Sequence, residues 1–146
     1  MCGMIFTVAE RRYLESQQLC RFATIGPGGV PHVRPLGFRL NPDGTIDIGG
    51  PNHRATQRFR NAVVRPDVAL VVDDMTPDEP GAVKPGMGRG VEVRGHAEAV
   101  VVDEPPVNPE WFSHDVLRVY PRRVLSWHID PAIPDGEARD IDEFVR

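Results

Sequence analysis

The sequence predicts a mainly β protein of the α+β type, in which six antiparallel strands close, or nearly close, into a barrel flanked by two helices. Turn residues are frequent, with 15 prolines and 14 glycines among 146 residues, and they divide the chain into short strands. The alternating segment 91–97 and the β-branched run 68–72 both have strand character. Most connections are short enough for hairpins, which favours an antiparallel barrel. A flat two-layer α+β sheet is the second choice.

The first third of the chain is predicted to contain one helix and a three-stranded meander. Thr7 and Glu10 have the spacing of a capping box, which predicts a helix from Val8 to about Gln18. Three strands follow, at 21–25, 30–40 and 45–49. The second of them contains Pro31 and Pro35, which cannot donate ladder hydrogen bonds, so it is predicted to be an edge strand or a bulged one.

The rest of the chain is predicted to contribute a second helix and three more strands. The helix, roughly at 53–64, has Ala55, Phe59 and Val63 on its apolar side. The run 68–72 predicts a strand that is buried on both faces. The remaining strands are predicted at 89–102 and 116–129, and the long loops at 73–88 and 103–113, the latter with one helical turn. Pro121 is expected to break the last strand.

Composition is that of one ordinary globular domain at 1–146, with a core at about 7–130 and a polar surface tail at 131–146. Hydrophobic residues make up 40% of the chain and charged residues 26%. The net charge of -4 argues against a general binder of nucleic acid or of anionic membranes. The sequence has no signal peptide and no long apolar run, so we expect a cytoplasmic location.

The reactive residue types form no recognisable catalytic or metal-binding motif. Cys2 and Cys20 are too few for a disulfide scaffold, and the apolar neighbours of Cys20 predict a buried thiol. The five histidines lack the i, i+4 spacing of a helical metal site. The sequence also lacks a nucleophile elbow and a phosphate-loop motif. We therefore predict no metal and no catalytic side chain, so that reactivity has to come from a bound cofactor.

The strand at 45–49 leads through a short loop into a basic stretch. Asn52 is predicted to cap the helix that follows. Arg54 and Arg58 are four residues apart and share one face, although cations near the start of a helix oppose its dipole. A bound phosphate would remove this conflict, because helix N-termini attract anions. The alternative is a solvated basic face in a chain whose basic residues are nearly all arginine.

Five segments, in their order along the chain, are similar to those of one known family. They are 19–26 (LCRFATIG), 29–38 (GVPHVRPLGF), 58–61 (RFRN) with its exit at 65–66 (RP), 91–97 (VEVRGHA) and 120–127 (YPRRVLSW). Together they resemble the split-barrel flavin and deazaflavin oxidoreductases, the family often named for pyridoxamine 5′-phosphate oxidase. The likeness extends over about 7–130 and is greatest to the actinobacterial deazaflavin-binding branch.

The resemblance implies a six-stranded split barrel that forms a homodimer, with two cofactor sites at the subunit interface. It implies that Arg58 grips the cofactor phosphate, and that Thr56 occupies a position that is often basic in the family. The second strand would line the ring, and Trp127 would reach the ring from the other subunit. The implied cofactor-binding residues are Val33, Arg34, Pro35, Leu36, Gly49, Gly50, Arg54, Thr56, Arg58, Arg60 and Trp127. Asn61 is expected to be structural.

The function implied by the resemblance is that of an oxidoreductase. The leading interpretation is hydride transfer from a reduced deazaflavin, coenzyme F-420, to a small electron-poor substrate, with solvent supplying the proton. The nearest rival is an FMN-dependent oxidoreductase with the same phosphate grip. Two non-catalytic hypotheses stand beside these, a binding protein for a flavin, heme or bilin without turnover and a dimeric structural module with a degenerate pocket. Nucleic acids and membranes are not expected as partners.

Overall fold

The chain folds into an antiparallel β-barrel with one additional strand and two helices, and a computed structural model describes residues 4–142 of it. In chain order the elements are α1 (Val8–Glu15), β1 (Leu19–Ile25), β2 (Pro31–Leu40), β3 (Ile46–Gly49), α2 (Gln57–Val64), β4 (Asp67–Met75), β5 (Gly88–Val101), β6 (Asp115–Trp127) and β7 (Glu137–Asp140). Neighbouring strands follow the order β3-β2-β1-β4-β5-β6-β7, and β3 also pairs with β6. That last pairing closes the first six strands into a barrel, which confirms the predicted fold class.

One continuous hydrophobic core fills the barrel and extends beneath both helices. Phe22, Ile48, Leu70 and Val93 are buried inside the barrel. The same cluster includes Leu14 of α1, so this helix covers the barrel with its apolar side. The members contributed by α2 are Phe59 and Ala62.

The capping box of α1 is confirmed. Thr7 Oγ1 accepts a hydrogen bond from the backbone N–H of Glu10 at 3.1 Å, and Glu10 Oε1 accepts one from the backbone N–H of Thr7 at 2.9 Å. The helix ends at Glu15, three residues before the predicted end. Glu10 is also buried, and Arg139 of β7 donates to both of its carboxylate oxygens. A residue near the end of the chain therefore holds the capping side chain of α1 in place.

The predicted start of α2 was wrong. Asn52 has a left-handed φ of 49° and its side chain caps nothing, because residues 53–55 form a separate 3₁₀ turn. The cap is Thr56, whose Oγ1 accepts from the backbone N–H of Phe59 at 3.3 Å. Only Phe59 of the predicted apolar stripe is buried, because Ala55 lies in the turn before α2 and is exposed, and Val63 is 58% exposed.

Replacing Thr56 with alanine is expected to lower the free energy of unfolding by about 1 kcal/mol, because α2 loses its N-cap. Asn52→Gly is the matched control, since glycine adopts the left-handed conformation without strain and no cap bond is lost. Urea unfolding of both variants measures the difference. An equal loss of unfolding free energy in the two variants would show that Thr56 is not the N-cap of α2.

The later strands differ from the prediction in their outer faces. In β4, Val68, Leu70 and Val72 are buried, whereas Ala69 and Val71 face outward and are half-buried, so burial on both faces was wrong. The alternation predicted for 91–97 is confirmed in β5. Strand β4 continues to residue 75, which shortens the following loop to 76–87.

Strand β6 runs unbroken through Pro121, contrary to the prediction. Pro121 lies opposite Gly95, where the register between β5 and β6 shifts by one residue because β6 has an extra, bulged residue between the partners of Arg94 and Gly95. The bulge tolerates the missing N–H of the proline. A Cβ atom on Gly95 would lie 2.3 Å from the carbonyl oxygen of Tyr120, so only glycine fits this crossing.

The polar tail, predicted to be surface, contains a strand. Strand β7 pairs with residues 123–126 of β6, along the same edge that β3 occupies at 117–119. Its sequence, Glu-Ala-Arg-Asp, has no hydrophobic alternation.

The loop at 103–113 holds no helix, only a hydrogen-bonded turn in which the backbone carbonyl of Asn108 accepts from the backbone N–H groups of Trp111 and Phe112.

Cys20 is buried, as predicted, and is a free thiol. Burial raises the pKa of Cys20 to about 12, so the thiolate does not form at neutral pH. Cys2 lies outside the described residues. Within 4–142, both helices are too short and too polar to cross a bilayer.

Candidate functional site

A cavity of about 530 Å³ opens between β1, β2 and the start of α2. It is lined by Phe22, Thr24, His32, Val33, Arg34, Thr56, Gln57 and Arg58. The ring of Phe22 and the side chain of Val33 supply apolar surface, and two guanidinium groups supply positive charge. None of the described residues that line the cavity carries a carboxylate. This combination suits a ligand with an apolar body and an anionic group.

The two arginines of the cavity have no counter-ion among the described residues. Among the described residues, neither Arg34 nor Arg58 has a carboxylate within ion-pair distance, whereas Arg39, Arg118 and Arg139 each have one. Burial lowers the pKa of Arg58, and the nearby charge of Arg34 lowers it further. Arg58 Nε is buried and has no hydrogen-bond partner within the described part of the chain. An anion bound between the two side chains would satisfy both charges.

Beneath Arg58 lies a buried histidine that stays neutral. The Nδ1 atom of His53 lies 3.1 Å from the carbonyl oxygen of Asp115, and its Nε2 has no partner among the described residues. Burial lowers the pKa of His53 to about 4, and the charge of Arg58 adds to the shift. A neutral His53 therefore adds no third cation beside the arginines.

A chain of hydrogen bonds leads from the surface of α2 to residues that line the cavity. Arg60 Nη2 donates to Gln57 Oε1 at 2.8 Å, and Gln57 Nε2 donates to Asn61 Oδ1 at 2.7 Å. Asn61 Nδ2 then lies 3.0 Å from Thr24 Oγ1 and 3.2 Å from His32 Nδ1. Asn61 thus ties α2 to the first two strands, which is the structural role expected of it.

A family model described as pyridoxamine 5′-phosphate oxidase matches residues 6–138. The chain belongs to this family. It is also 35% identical, over 140 residues and 94% of each chain, to a 5a,11a-dehydrotetracycline/5a,11a-dehydrooxytetracycline reductase of Streptomyces rimosus. The match spans nearly the full length of both proteins, so the likeness is not confined to one segment of either.

Several solved structures superimpose on the chain at low sequence identity. One is an F420 reductase, with a TM-score of 0.57 and 23% identity, covering 82% of this chain and 98% of the other. Another is a heme-binding protein from Mycobacterium smegmatis, with a TM-score of 0.64 and 15% identity, covering 94% of this chain and 60% of the other. These likenesses confirm the split-barrel fold.

Four of the residues that the family resemblance implies for the cofactor come together in the cavity. They are Val33, Arg34, Thr56 and Arg58. Gly50 lies directly behind them, because a Cβ atom there would be 2.6 Å from Arg58 Nη2. The missing side chain of Gly50 therefore makes room for the guanidinium.

The rest of the residues implied by the family resemblance lie outside this cavity. Arg54 is 3.7 Å from Asp115, with its side chain 71% exposed, and Arg60 bonds to the carbonyl oxygen of Ala55. Gly49 lies under Pro106, and Trp127 packs over Gly90. Pro35 is exposed and Leu36 is buried. Their contacts with a cofactor stay predictions.

Four residues that line the cavity were not among those implied. They are Phe22, Thr24, His32 and Gln57. Thr24 and His32 are cross-strand neighbours of β1 and β2, and Phe22 precedes Thr24 by the two-residue strand period. The alternation of β1 could have placed Phe22 and Thr24 on one face, but only the position of α2 shows that this face borders the cavity.

Replacing Gly50 with alanine is expected to displace the Arg58 guanidinium and to weaken anion binding about tenfold, with little change in thermal stability. The clash meets the end of a flexible side chain, so the backbone need not move. Isothermal titration with inorganic pyrophosphate measures the affinity. Gly88→Ala is the control, because a Cβ atom there meets open space. Unchanged affinity in Gly50→Ala would show that this guanidinium position is not needed.

Proposed function

We propose that this member of an oxidoreductase family is a deazaflavin-dependent reductase, which passes a hydride from reduced coenzyme F-420 to a small electron-poor substrate. The observation that carries the proposal is the pair Arg34 and Arg58, two uncompensated cations beside apolar wall in one cavity of the described chain. A phosphate-bearing ring cofactor has the complementary shape, since its anionic and apolar parts are adjacent.

The side chains of the cavity fit the tasks of binding and shielding. Arg58 offers an Nε–H that no described residue satisfies and a planar guanidinium, which suits bidentate contact with a phosphate. Phe22 and Val33 offer an apolar wall for the ring beside it. When bound, the reduced coenzyme supplies the hydride, and solvent supplies the proton that completes the reduction. Among the described lining residues there is no carboxylate to serve as an acid.

The substrate class is supported by the Streptomyces relative. That protein is a reductase of 5a,11a-dehydrotetracyclines and matches 94% of this chain. We propose that the present chain likewise reduces a conjugated double bond of an oxygen-rich polycyclic compound. The same phosphate grip fits FMN, so an FMN-dependent reductase is the alternative that the experiment has to separate.

We also propose that the protein is a homodimer whose second subunit completes the site. Val33 lines the cavity but is 64% exposed. It also borders a largely apolar depression of about 230 Å³ on the outer sheet face, lined by Ala23, Ala69 and Val71 and by the charged residues Arg21 and Glu92. An exposed apolar face beside a binding site favours coverage by another chain. Light scattering after size exclusion is expected to give the mass of two chains.

The experiment is a parallel fluorescence titration of the purified protein with coenzyme F-420 and with FMN, followed by turnover with 5a,11a-dehydrooxytetracycline. We expect tighter binding of coenzyme F-420 and oxidation of its reduced form only when the acceptor is present. Arg12→Ala is a matched control for Arg58→Ala, because Arg12 is an exposed arginine of α1 outside the cavity.

The outcomes separate the candidate functions. Loss of coenzyme F-420 binding in Arg58→Ala but not in Arg12→Ala supports the cavity as the cofactor site. Preference for FMN would assign the chain to the flavin-dependent alternative. Tight binding without turnover would indicate a carrier protein, and binding of neither compound would refute the cofactor-dependent function.

A further inference from the structure

The direction of the hydrogen-bond chain beneath the cavity is decided by one exposed arginine. An arginine side chain can only donate, so the atom of Gln57 that faces Arg60 Nη2 has to be the amide oxygen. The amide nitrogen of Gln57 then faces Asn61 and donates to Oδ1. If the residue at position 60 could both donate and accept, the side-chain amides of Gln57 and Asn61 could both rotate by 180°. The oxygen and nitrogen ends of an amide have nearly the same shape, so packing would not prevent this rotation.

The same direction continues into β1 and β2. With its oxygen facing Gln57, Asn61 donates one hydrogen of Nδ2 to Thr24 Oγ1 and the other to His32 Nδ1. His32 therefore accepts at Nδ1 and carries its proton on Nε2. The Thr24 hydroxyl accepts from Asn61 and keeps its own hydrogen for another acceptor.

That hydrogen has no acceptor within the described part of the chain. Thr24 lines the cavity and is only 3% exposed, and no described residue accepts from its hydroxyl. A buried donor without an acceptor is unfavourable, and a ligand in the cavity can supply one. The arrangement favours an acceptor on the ligand, because a ligand donor at the same point would leave the hydroxyl hydrogen of Thr24 unpaired.

We infer that Thr24 is a cofactor-binding residue that donates a hydrogen bond to a carbonyl oxygen of the bound ring, and that Arg60 is the positioning residue that holds it in this state through Gln57 and Asn61. The identity of the ligand rests on the proposed function, since flavin and deazaflavin rings both carry carbonyl oxygens. Arg60 thereby acts on the ring end of the ligand, in place of the phosphate role that the family resemblance implied for it.

The direction of the chain is tested without any ligand. Nitrogen-detected NMR of the His32 ring, in mildly alkaline buffer, distinguishes the two neutral tautomers. We expect the Nε2–H tautomer in the wild type and in Arg60→Lys, whose side chain still only donates. Arg60→Gln can accept as well as donate, and we expect a mixture of tautomers there. An Nδ1–H tautomer in the wild type would overturn the inference.

The contact to the ligand is tested by titrating Thr24→Val and Thr24→Ser with coenzyme F-420 and with FMN. Valine keeps the shape but removes the donor, so we expect binding to weaken about tenfold. Serine keeps the hydroxyl, and we expect its affinity to stay close to that of the wild type. Thr24→Val also leaves one hydrogen of Asn61 without an acceptor, so thermal unfolding is recorded to confirm that each variant is folded during the titration.

The outcomes distinguish this inference from the proposed function. Unchanged affinity in Thr24→Val, or an equal loss in Thr24→Ser, would refute the donor role of Thr24 and leave the proposed function standing. Failure of the wild type to bind either compound would refute the proposed function, and the ligand contact of Thr24 with it. Weaker binding in Arg60→Gln than in Arg60→Lys supports the positioning role, and equal affinities in those two variants would refute it.

Discussion

Replacing Arg58 with alanine is expected to weaken coenzyme binding about 100-fold, the effect of losing about two charge-assisted hydrogen bonds to a phosphate. The same replacement is expected to stabilise the coenzyme-free protein slightly. Burial and the charge of Arg34 both lower the pKa of Arg58, so the folded chain holds this cation at a cost. A residue retained for binding and not for stability has this pair of effects.

Two measurements separate the cost of burying Arg58 from the cost of its repulsion by Arg34: one varies the salt concentration and the other uses a conservative variant. The stabilisation of ligand-free Arg58→Ala is expected to shrink as ionic strength rises, because salt screens the repulsion from Arg34. Arg58→Lys keeps the charge but loses the planar fork, so part of the affinity and all of the repulsion should remain. Urea unfolding gives the stability and fluorescence titration the affinity. A destabilised Arg58→Ala protein would mean that Arg58 is mainly structural.

Most of the fold was predictable because its signals are local. The capping box of α1 depends on two residues three apart, and the alternation at 91–97 on neighbouring positions of one strand. Strand β7 was not predictable in this way, because its four polar residues pair with the part of the β6 edge that β3 leaves uncovered, which no local pattern shows. The cap predicted at Asn52 was wrong because asparagine is favoured both at helix N-caps and in left-handed turns, and the local sequence does not distinguish the two.

The site residues that belong to a sequence motif were predictable, whereas those brought to the site only by packing were not. Arg58 follows from the basic stretch and the family resemblance, and Arg34 from the strand that lines the cavity. Thr24 was missed because a threonine in a strand has no functional signal of its own. Its importance depends on Asn61, 37 positions away in sequence, and on a cavity that forms only when α2 packs against β1.

Asp47→Asn is expected to produce the largest loss of stability, about 3–5 kcal/mol, because it breaks a buried ionic cluster where the barrel closes. Asp47 is fully buried on β3 between two cross-strand partners, Arg39 of β2 and Arg118 of β6. Arg118 Nε donates to Asp47 Oδ1 at 2.8 Å, and Arg39 Nη2 donates to Oδ2 at 3.1 Å. An asparagine would leave both guanidinium groups without their charge partner.

The pH dependence of this loss has a definite sign. Burial alone would raise the pKa of Asp47, but hydrogen bonds from Arg118 and its neighbours hold it below the ordinary value. The carboxylate therefore stabilises the fold above the unfolded-state pKa of about 3.9, and this contribution disappears as pH falls through the lower folded-state pKa. Urea unfolding should show a constant gap between wild type and Asp47→Asn at neutral pH, and a shrinking gap in acid.

A surface ion pair, also formed between an aspartate and an arginine, provides the control for Asp47. Asp140 pairs with Arg123 at 2.7 Å, but its side chain is 74% exposed. Asp140→Asn is therefore expected to cost less than about 1 kcal/mol, because solvent already screens that pair. Equal losses in the two variants would show that barrel closure does not depend on the cluster. A much larger loss at Asp47 would show that one buried carboxylate joins β2, β3 and β6, the strands whose pairing closes the barrel.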